Sequence, residues 1–229
     1  NIACSNKLVF SHQAMVDDYV EATLQVLKKN KATKIAFFHD SVFQQGAEIL
    51  QEVIGGHAMQ IAETFVFDRG KTDFRAELTK TKAAEADSLL IWSIMPETEI
   101  FLKQVAQQRI DLFVSGFFDV VQDLSLIEGR PFPSEVYATS GFQEKFKQRY
   151  GKATVMKGPN AYDVVKLLAL AIEKTGEIKP KPLSIKRQLL KIRDYPGAVG
   201  SVSIDECGNS SYPIVTKIVT NGKLEVLGG

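Results

Sequence analysis

The sequence predicts an α/β protein built around a doubly wound parallel sheet, and three observations carry that prediction. Short unbroken apolar runs recur, as in Ile35–Phe38 and Ser88–Trp92, the pattern of strands covered on both faces. Each run passes through a short polar turn into an amphipathic helical pattern, which is half of a βαβ unit. The alternation continues from Lys34 to Ile127, and right-handed crossovers then place helices on both faces of one sheet.

The elements follow in order. Asp17 to Asn30 is an amphipathic helix with Val20, Leu24 and Leu27 on one face and Lys28 and Lys29 at its end, where cations favour the helix dipole. Lys34–Phe38 is the central strand. His39-Asp40-Ser41 turns the chain into a helix over Gln44–Ile54, which Gly55-Gly56 stops. Ala58–Phe67 is a second strand, followed by the turn Asp68-Arg69-Gly70. Thr72 or Asp73 caps a helix reaching about Ala84, with Phe74 and Leu78 facing inward. Ser88–Trp92 is a third strand. Pro96, with Glu97 and Glu99 beside it, starts a helix that buries Ile100, Phe101 and Val105 and ends near Gln108. Leu112–Ser115 is a fourth strand, a helix is expected over Val120–Ile127, and Val136–Thr139 is expected as a fifth strand.

The pattern then changes. Gly141–Tyr150, Ala161–Lys174 and Ser184–Ile192 read as consecutive helices, the second apolar on so many sides that both its faces are expected to be covered. The last stretch has an antiparallel pattern, with Gly200–Ile204, a turn over Asp205–Asn209, Ile214–Val219, the hairpin dipeptide Asn221-Gly222, and Leu224–Leu227.

Composition narrows the function. The hydrophobic fraction of 45% supports a packed core, and 28 basic against 27 acidic residues leave a net charge of +1. Neither a nucleic-acid footprint nor an acidic tail is present, so no nucleic-acid partner is expected. No apolar run reaches the roughly 18–20 residues of a membrane helix. Asn1–Cys4 shows no signal peptide, which a mature secreted chain would lack as well. Cys4 and Cys207 read as ordinary thiols, with a disulfide as the alternative. With three scattered histidines they make a poor zinc set, so neither metal nor cofactor is expected. No G-x-G-x-x-G, G-x-x-x-x-G-K-[ST] or G-x-S-x-G follows any strand. His12, His39 and His57 lack a nucleophile or metal partner, and the basic stretch Lys179–Lys191 reads as a solvated helix face. An enzyme is therefore not expected.

In open α/β sheets, ligands bind outside the carboxyl ends of the strands. The turns after the first, third and fourth strands carry Asp40–Phe43, Ser93–Met95 and Gly116–Asp119, and are expected to converge on one crevice. Phe43 is an aromatic in stacking position or a helix-start residue packed on its own neighbours. Asp40 is a turn cap or a ligand contact. Trp92, Ile94 and Met95 line the crevice, or Trp92 is core. Phe117, Phe118 and Asp119 follow the fourth strand, Asp119 as a helix cap or a ligand contact.

Several segments share a family likeness. KIAFFHDSVFQQG, FDRGKTDFRAELTKTKAAEADSLLIW, NAYDVVKLLALAIEKTG and GSVSIDECGNSSYPIVTKIVTNGKLE resemble, in this order, segments of the periplasmic solute-binding proteins of the branched-chain amino acid type. The last has Ile204 where that family usually has Phe. The resemblance implies the type I periplasmic binding fold, with a small ligand held between two lobes by hinge closure and handed to an ABC permease. It also implies a periplasmic or otherwise extracytoplasmic location. A ligand-sensing domain of a receptor or transcription regulator is the alternative with the same fold. Family members are longer, so the resemblance implies a partial chain that lacks most of the first lobe, with a truncated variant that completes itself by pairing chains as the alternative. Residues 8–132 would be the second lobe, 137–199 the segment returning to the first, and 200–229 a hairpin crossing back. By the same resemblance Phe43 packs on the ligand. A carboxylate near Asp119 would hold a ligand ammonium; with Phe118 in that position, an apolar or aromatic carboxylate is the expected ligand.

Overall fold

The computed structural model describes residues 8–136, 138–154, 157–211 and 214–227. The chain divides into two compact units. A parallel-sheet unit comprises Val16–Ser134 with Val215–Gly229, and a helical unit comprises Asn1–Met15 with Glu135–Ile214.

In the parallel-sheet unit, β1 (Lys34–Asp40), β2 (Gln60–Phe67), β3 (Ser88–Trp92) and β4 (Phe113–Gly116) form one sheet in the order β2-β1-β3-β4. All three pairings are parallel. Because successive side chains point to opposite faces of a strand, β1 feeds two cores. Ile35 and Phe37 join Leu90 and Trp92 against α1 (Val16–Lys29) and α2 (Gln44–Val53), which contribute Val20, Leu24, Leu27, Ala47 and Leu50. Ala36 and Phe38 join Leu89, Ile91 and Val114 against α3 (Arg75–Ala83) and α4 (Glu97–Gln107), through Phe74, Leu78, Phe101, Leu102 and Val105. This double coverage is the reason β1 and β3 are apolar without interruption. At about 1.5–3 kcal/mol for each large side chain removed from water, the two layers supply most of this unit's stabilisation.

Two expected elements come out differently. The stretch Val120–Ile127 is not an α-helix but two 3₁₀ turns, Phe118–Val120 and Leu124–Ile127. The Glu99 carboxylate accepts the Gln122 and Asp123 N–H groups at 2.8 and 3.1 Å, and Asp123 accepts the N–H and hydroxyl of Ser125. Side chains have taken the donors that a continuous helix needs. The fifth strand, β5, lies earlier than Val136–Thr139, at Phe132–Glu135. Its Pro133 is accommodated because β5 is an edge of the sheet β10-β9-β5, with β9 at Ile214–Thr220 and β10 at Lys223–Leu227. Thr139 instead caps a helix through its hydroxyl, and Tyr137 lies outside the described residues.

The helical unit holds α5 (Ser140–Tyr150), α6 (Gly158–Thr175) and α7 (Pro182–Leu189), with the strands β6 (Tyr195–Gly197), β7 (Gly200–Ile204) and β8 (Ser210–Ser211) in the order β6-β7-β8. α6 is not covered on both sides. Leu167 and Ala171 are buried, while Val164, Val165, Leu168 and Ile172 are exposed. Cys207 is disulfide-bonded, not a free thiol; the chain's other cysteine, Cys4, lies outside the described residues. Sequence separation was no guide here, because the N-terminal segment reaches the Asp205–Asn209 turn. Ser11 donates its N–H to the Gly208 carbonyl at 2.9 Å and accepts the Ser210 N–H at 2.8 Å.

Beside that bridge, His12 Nδ1 lies 2.9 Å from the Ser210 hydroxyl. Burial lowers the His12 pKa below its ordinary value, and Lys157 adds to the lowering, against the opposing pull of Asp163 and Glu135. The unfolded chain then binds a proton that the folded one resists. Stability is expected to be complete above about pH 6.5, the unfolded value, and to fall as the pH drops toward the lower folded value. Urea midpoints followed from pH 8 to 5 should fall less steeply in His12→Gln than in the wild type. Equal slopes would mean that His12 does not report on folding.

Candidate functional site

The carboxyl ends of β1, β3 and β4 bring three turns together. Asp40 ends β1 fully buried, with one carboxylate oxygen accepting the Val42 N–H at 2.8 Å and the other the Ser93 hydroxyl at 3.2 Å. One side chain thus caps the turn after β1 and ties it to the turn after β3. The tie holds Phe43, half-buried, at the start of α2. On the other side, the Phe117 N–H donates to the Ile91 carbonyl at 3.2 Å, which extends the β3–β4 ladder by one bond and fixes where the Phe117 ring stands.

Phe117 is the hub of an aromatic cluster. Its ring lies 4.9 Å from Phe43, stacks on Trp92 at 5.2 Å with planes 25° apart, and meets Tyr19 edge-on at 5.1 Å and 89°. Stacked and edge-to-face pairs of this kind contribute about 0.5–1.5 kcal/mol each beyond burial. Trp92 forms the floor: it is 1% exposed, Phe37 packs edge-on against it, and its indole N–H has no hydrogen-bond partner among the described residues. A Cβ on Gly46 would lie 3.1 Å from the Trp92 ring, so α2 approaches the floor at a glycine. Ile94 and Met95 are half-buried on the adjoining turn.

Phe118 and Asp119 take other positions. Phe118 is 1% exposed and packs with Phe132 in the core on the opposite face of the sheet. Asp119 caps no α-helix. It accepts the Ser134 hydroxyl at 2.5 Å and faces the Lys217 ammonium at 3.5 Å, with Lys217 itself 5% exposed. Sequence reasoning overlooked Tyr19 and Lys217. Tyr19 directly precedes Val20 on α1, and its only signal was an aromatic at the border of that helix's inner face. Among the described residues no group of three His, Cys, Asp or Glu side chains is placed to hold a metal ion, and no helix is long and apolar enough to cross a membrane.

With this geometry in view, the chain is similar to several solved structures. The leucine-binding protein LivK of Thermotoga maritima matches with a TM-score of 0.78 and 21% identity over 93% of this chain and 65% of that one. An ABC transporter solute-binding protein from R. palustris, solved in complex with benzoate, matches with a TM-score of 0.80 and 12% identity over 96% and 64%. LivJ of Streptococcus pneumoniae, a branched-chain amino acid transporter substrate-binding protein in complex with isoleucine, matches with a TM-score of 0.74 and 22% identity over 93% and 65%. Likeness at these identities shows the fold, which is the type I periplasmic binding fold. The chain spans just under two thirds of the length of each of the three. No curated protein matches it. Residues 3–212 match the family model described as periplasmic binding protein, and the chain belongs to that family.

Proposed function

We propose that the chain is part of an extracytoplasmic solute-binding protein, which captures a small organic ligand with an apolar body and a carboxylate and delivers it to an ABC importer. The observation that carries this reading is the aromatic cluster of Tyr19, Phe43 and Phe117 over Trp92, at the carboxyl ends of a parallel sheet. Ligands of open α/β sheets bind there, and ligand sites are mostly apolar with a few placed polar groups. Family membership supports the role. So do leucine, isoleucine and benzoate, the ligands named for three proteins of the same fold, each of which joins an apolar body to a carboxylate. The role is binding and release, without turnover.

A thermal-shift series on the full-length protein tests this, with leucine, isoleucine, phenylalanine and benzoate as probes. A ligand at a hundred times its dissociation constant stabilises by about 2.7 kcal/mol. Phe117→Ala is expected to weaken the bound probe about tenfold, the equivalent of ~1.4 kcal/mol. No shift with any probe, or an affinity unaffected by Phe117→Ala, would refute the assignment.

A further inference from the structure

We propose that the loop joining α6 to α7 docks the protein on an anionic lipid surface, with Ile178 entering the interface and the basic side chains around it on the lipid phosphates. That loop belongs to the helical unit and the aromatic cluster to the parallel-sheet unit, so the inference goes beyond the ligand reading above and does not depend on it.

Charge is divided unequally along the chain. The helical unit has 14 basic against 8 acidic residues, a net +6, and the parallel-sheet unit 14 against 19, a net −5. Within the helical unit the whole excess lies between Lys174 and Arg193, where seven basic residues stand against a single acid, Glu177. Such asymmetry marks a surface for an anionic partner. Its sign draws the helical unit toward that partner and turns the parallel-sheet unit away.

The local structure holds the charges out. Gly176 ends α6 in the left-handed region at φ 67°, Pro180 lies within the loop, and Pro182 opens α7. The two prolines keep the residues before them, Lys179 and Lys181, out of helical conformation, so little order remains to be imposed on docking. Lys174, Lys186 and Arg187 sit in the last turns of their helices, where the dipole favours a cation. Lys181 stands at the opposite end, as the N-cap of α7, where the dipole opposes one, and Lys179 lies in the loop beyond either helix. Lys174, Lys179, Lys181, Arg187 and Lys191 are exposed, and none of them is in an ion pair among the described residues. The Glu177 carboxylate accepts the Lys181 N–H at 3.4 Å, a backbone group and not an ammonium. Thr175 and Glu177 line one shallow pocket with Arg187 and Lys191, so the loop and the basic side of α7 share a face.

Ile178 stands amid these cations with 100% exposure, and Leu183 on the first turn of α7 is 54% exposed. Another part of the protein laid over them would also bury the lysines on either side, and Lys and Arg are almost never buried unpaired. A fluid lipid interface takes both kinds of side chain at once. The apolar group enters, while the lysine stems lie along apolar surface with their ammonium groups among the phosphates. An acidic protein surface meets the charges but needs a fitted pocket for Ile178.

Flotation of the full-length protein with vesicles is the test, using phosphatidylcholine alone and an equal mixture of phosphatidylcholine and phosphatidylglycerol. Binding to the mixed vesicles is expected, at least about tenfold tighter than to phosphatidylcholine alone. It should be lost between about 0.1 M and about 1 M salt, as the screening length falls from about 10 Å to about 3 Å. Lys179→Gln and Lys181→Gln should each weaken it about fivefold, the equivalent of ~1 kcal/mol per charge, and Ile178→Ser about tenfold. Unchanged urea midpoints establish that these exposed-loop variants are folded. No binding to the mixed vesicles, equal binding to both sets, or an affinity that the lysine or Ile178 substitutions leave unchanged overturns the proposal. Soluble polyglutamate serves as the acidic-protein arm, and binding to it as tight as to the mixed vesicles overturns the proposal in favour of a protein partner. Ligand binding is read separately by the thermal-shift series above, so the two proposals fail independently.

Discussion

Gly116→Ala is expected to destabilise the parallel-sheet unit by about 3 kcal/mol, the upper end for an overpacked site, and to abolish the proposed ligand binding with it. Gly116 closes β4 and pairs with Ile91 of β3. A Cβ at this position would fall inside the contact radius of the Ile91 carbonyl oxygen and 2.9 Å from Ile91 Cγ2. The obstacle is backbone in the middle of a ladder, which cannot rotate aside as a side chain can. β4 must therefore retreat from β3, and the first bond lost is that from the Phe117 N–H to the Ile91 carbonyl. Since that bond stations the hub of the aromatic cluster, stability and binding should fail together. Gly141→Ala is the control: Gly141 lies in α5, a Cβ there meets nothing within 4 Å, and the substitution should stabilise by about 0.5–1 kcal/mol through helix propensity. Urea denaturation reads both. A Gly116→Ala protein within about 1 kcal/mol of the wild type would refute the close β3–β4 approach.

What could be read in advance depended on how local the cause was. β1 and β3 were legible because burial on both faces leaves its mark within the strand itself, and Phe43 and Phe117 because a turn at the end of a parallel strand is a position sequence order can locate. Neighbouring residues at the end of β4 were harder. Phe117 packs on the Trp92 side of the sheet and Phe118 on the Phe132 side, as the two-residue period of a strand requires, but where the strand ends decides which ring goes where. Long-range partners left no trace. The Lys217 that neutralises Asp119 lies 98 positions away, and the Glu99 carboxylate that replaces a helix at Val120–Ile127 with two tight turns acts from 23 and 24 positions away. Each of these is a side chain arriving from another element, and neither periodicity nor local propensity records such an arrival.

The second large effect belongs to the helical unit, where Asp163→Ala should cost about 3–4 kcal/mol by stranding two backbone donors and opening a gap beside them. Asp163 sits on α6 with no exposure, and it accepts the Ala198 N–H at 2.7 Å and the Val199 N–H at 3.1 Å, one on each carboxylate oxygen. The loop it grips also holds the start of α5, since the Ala198 carbonyl accepts the Thr139 N–H at 2.7 Å. The grip is close: a Cβ on Gly197 would come to 2.5 Å from Asp163 Oδ2. Asp163→Asn keeps one acceptor and turns a donor toward the other N–H, so it should lose most of the same stability. Amide exchange at Ala198 and Val199 should accelerate in both variants, and protection retained there would show that the carboxylate is not what holds the loop. The acid response gives an independent check. Asp163 raises the pKa of His12 against the lowering by burial, so its removal should push the folded value of His12 further below the ordinary one. The gap to the unfolded chain then widens, and the loss of stability from about pH 6.5 downward should become steeper in Asp163→Ala than in the wild type. A slope that stays the same or flattens would separate Asp163 from the His12 environment.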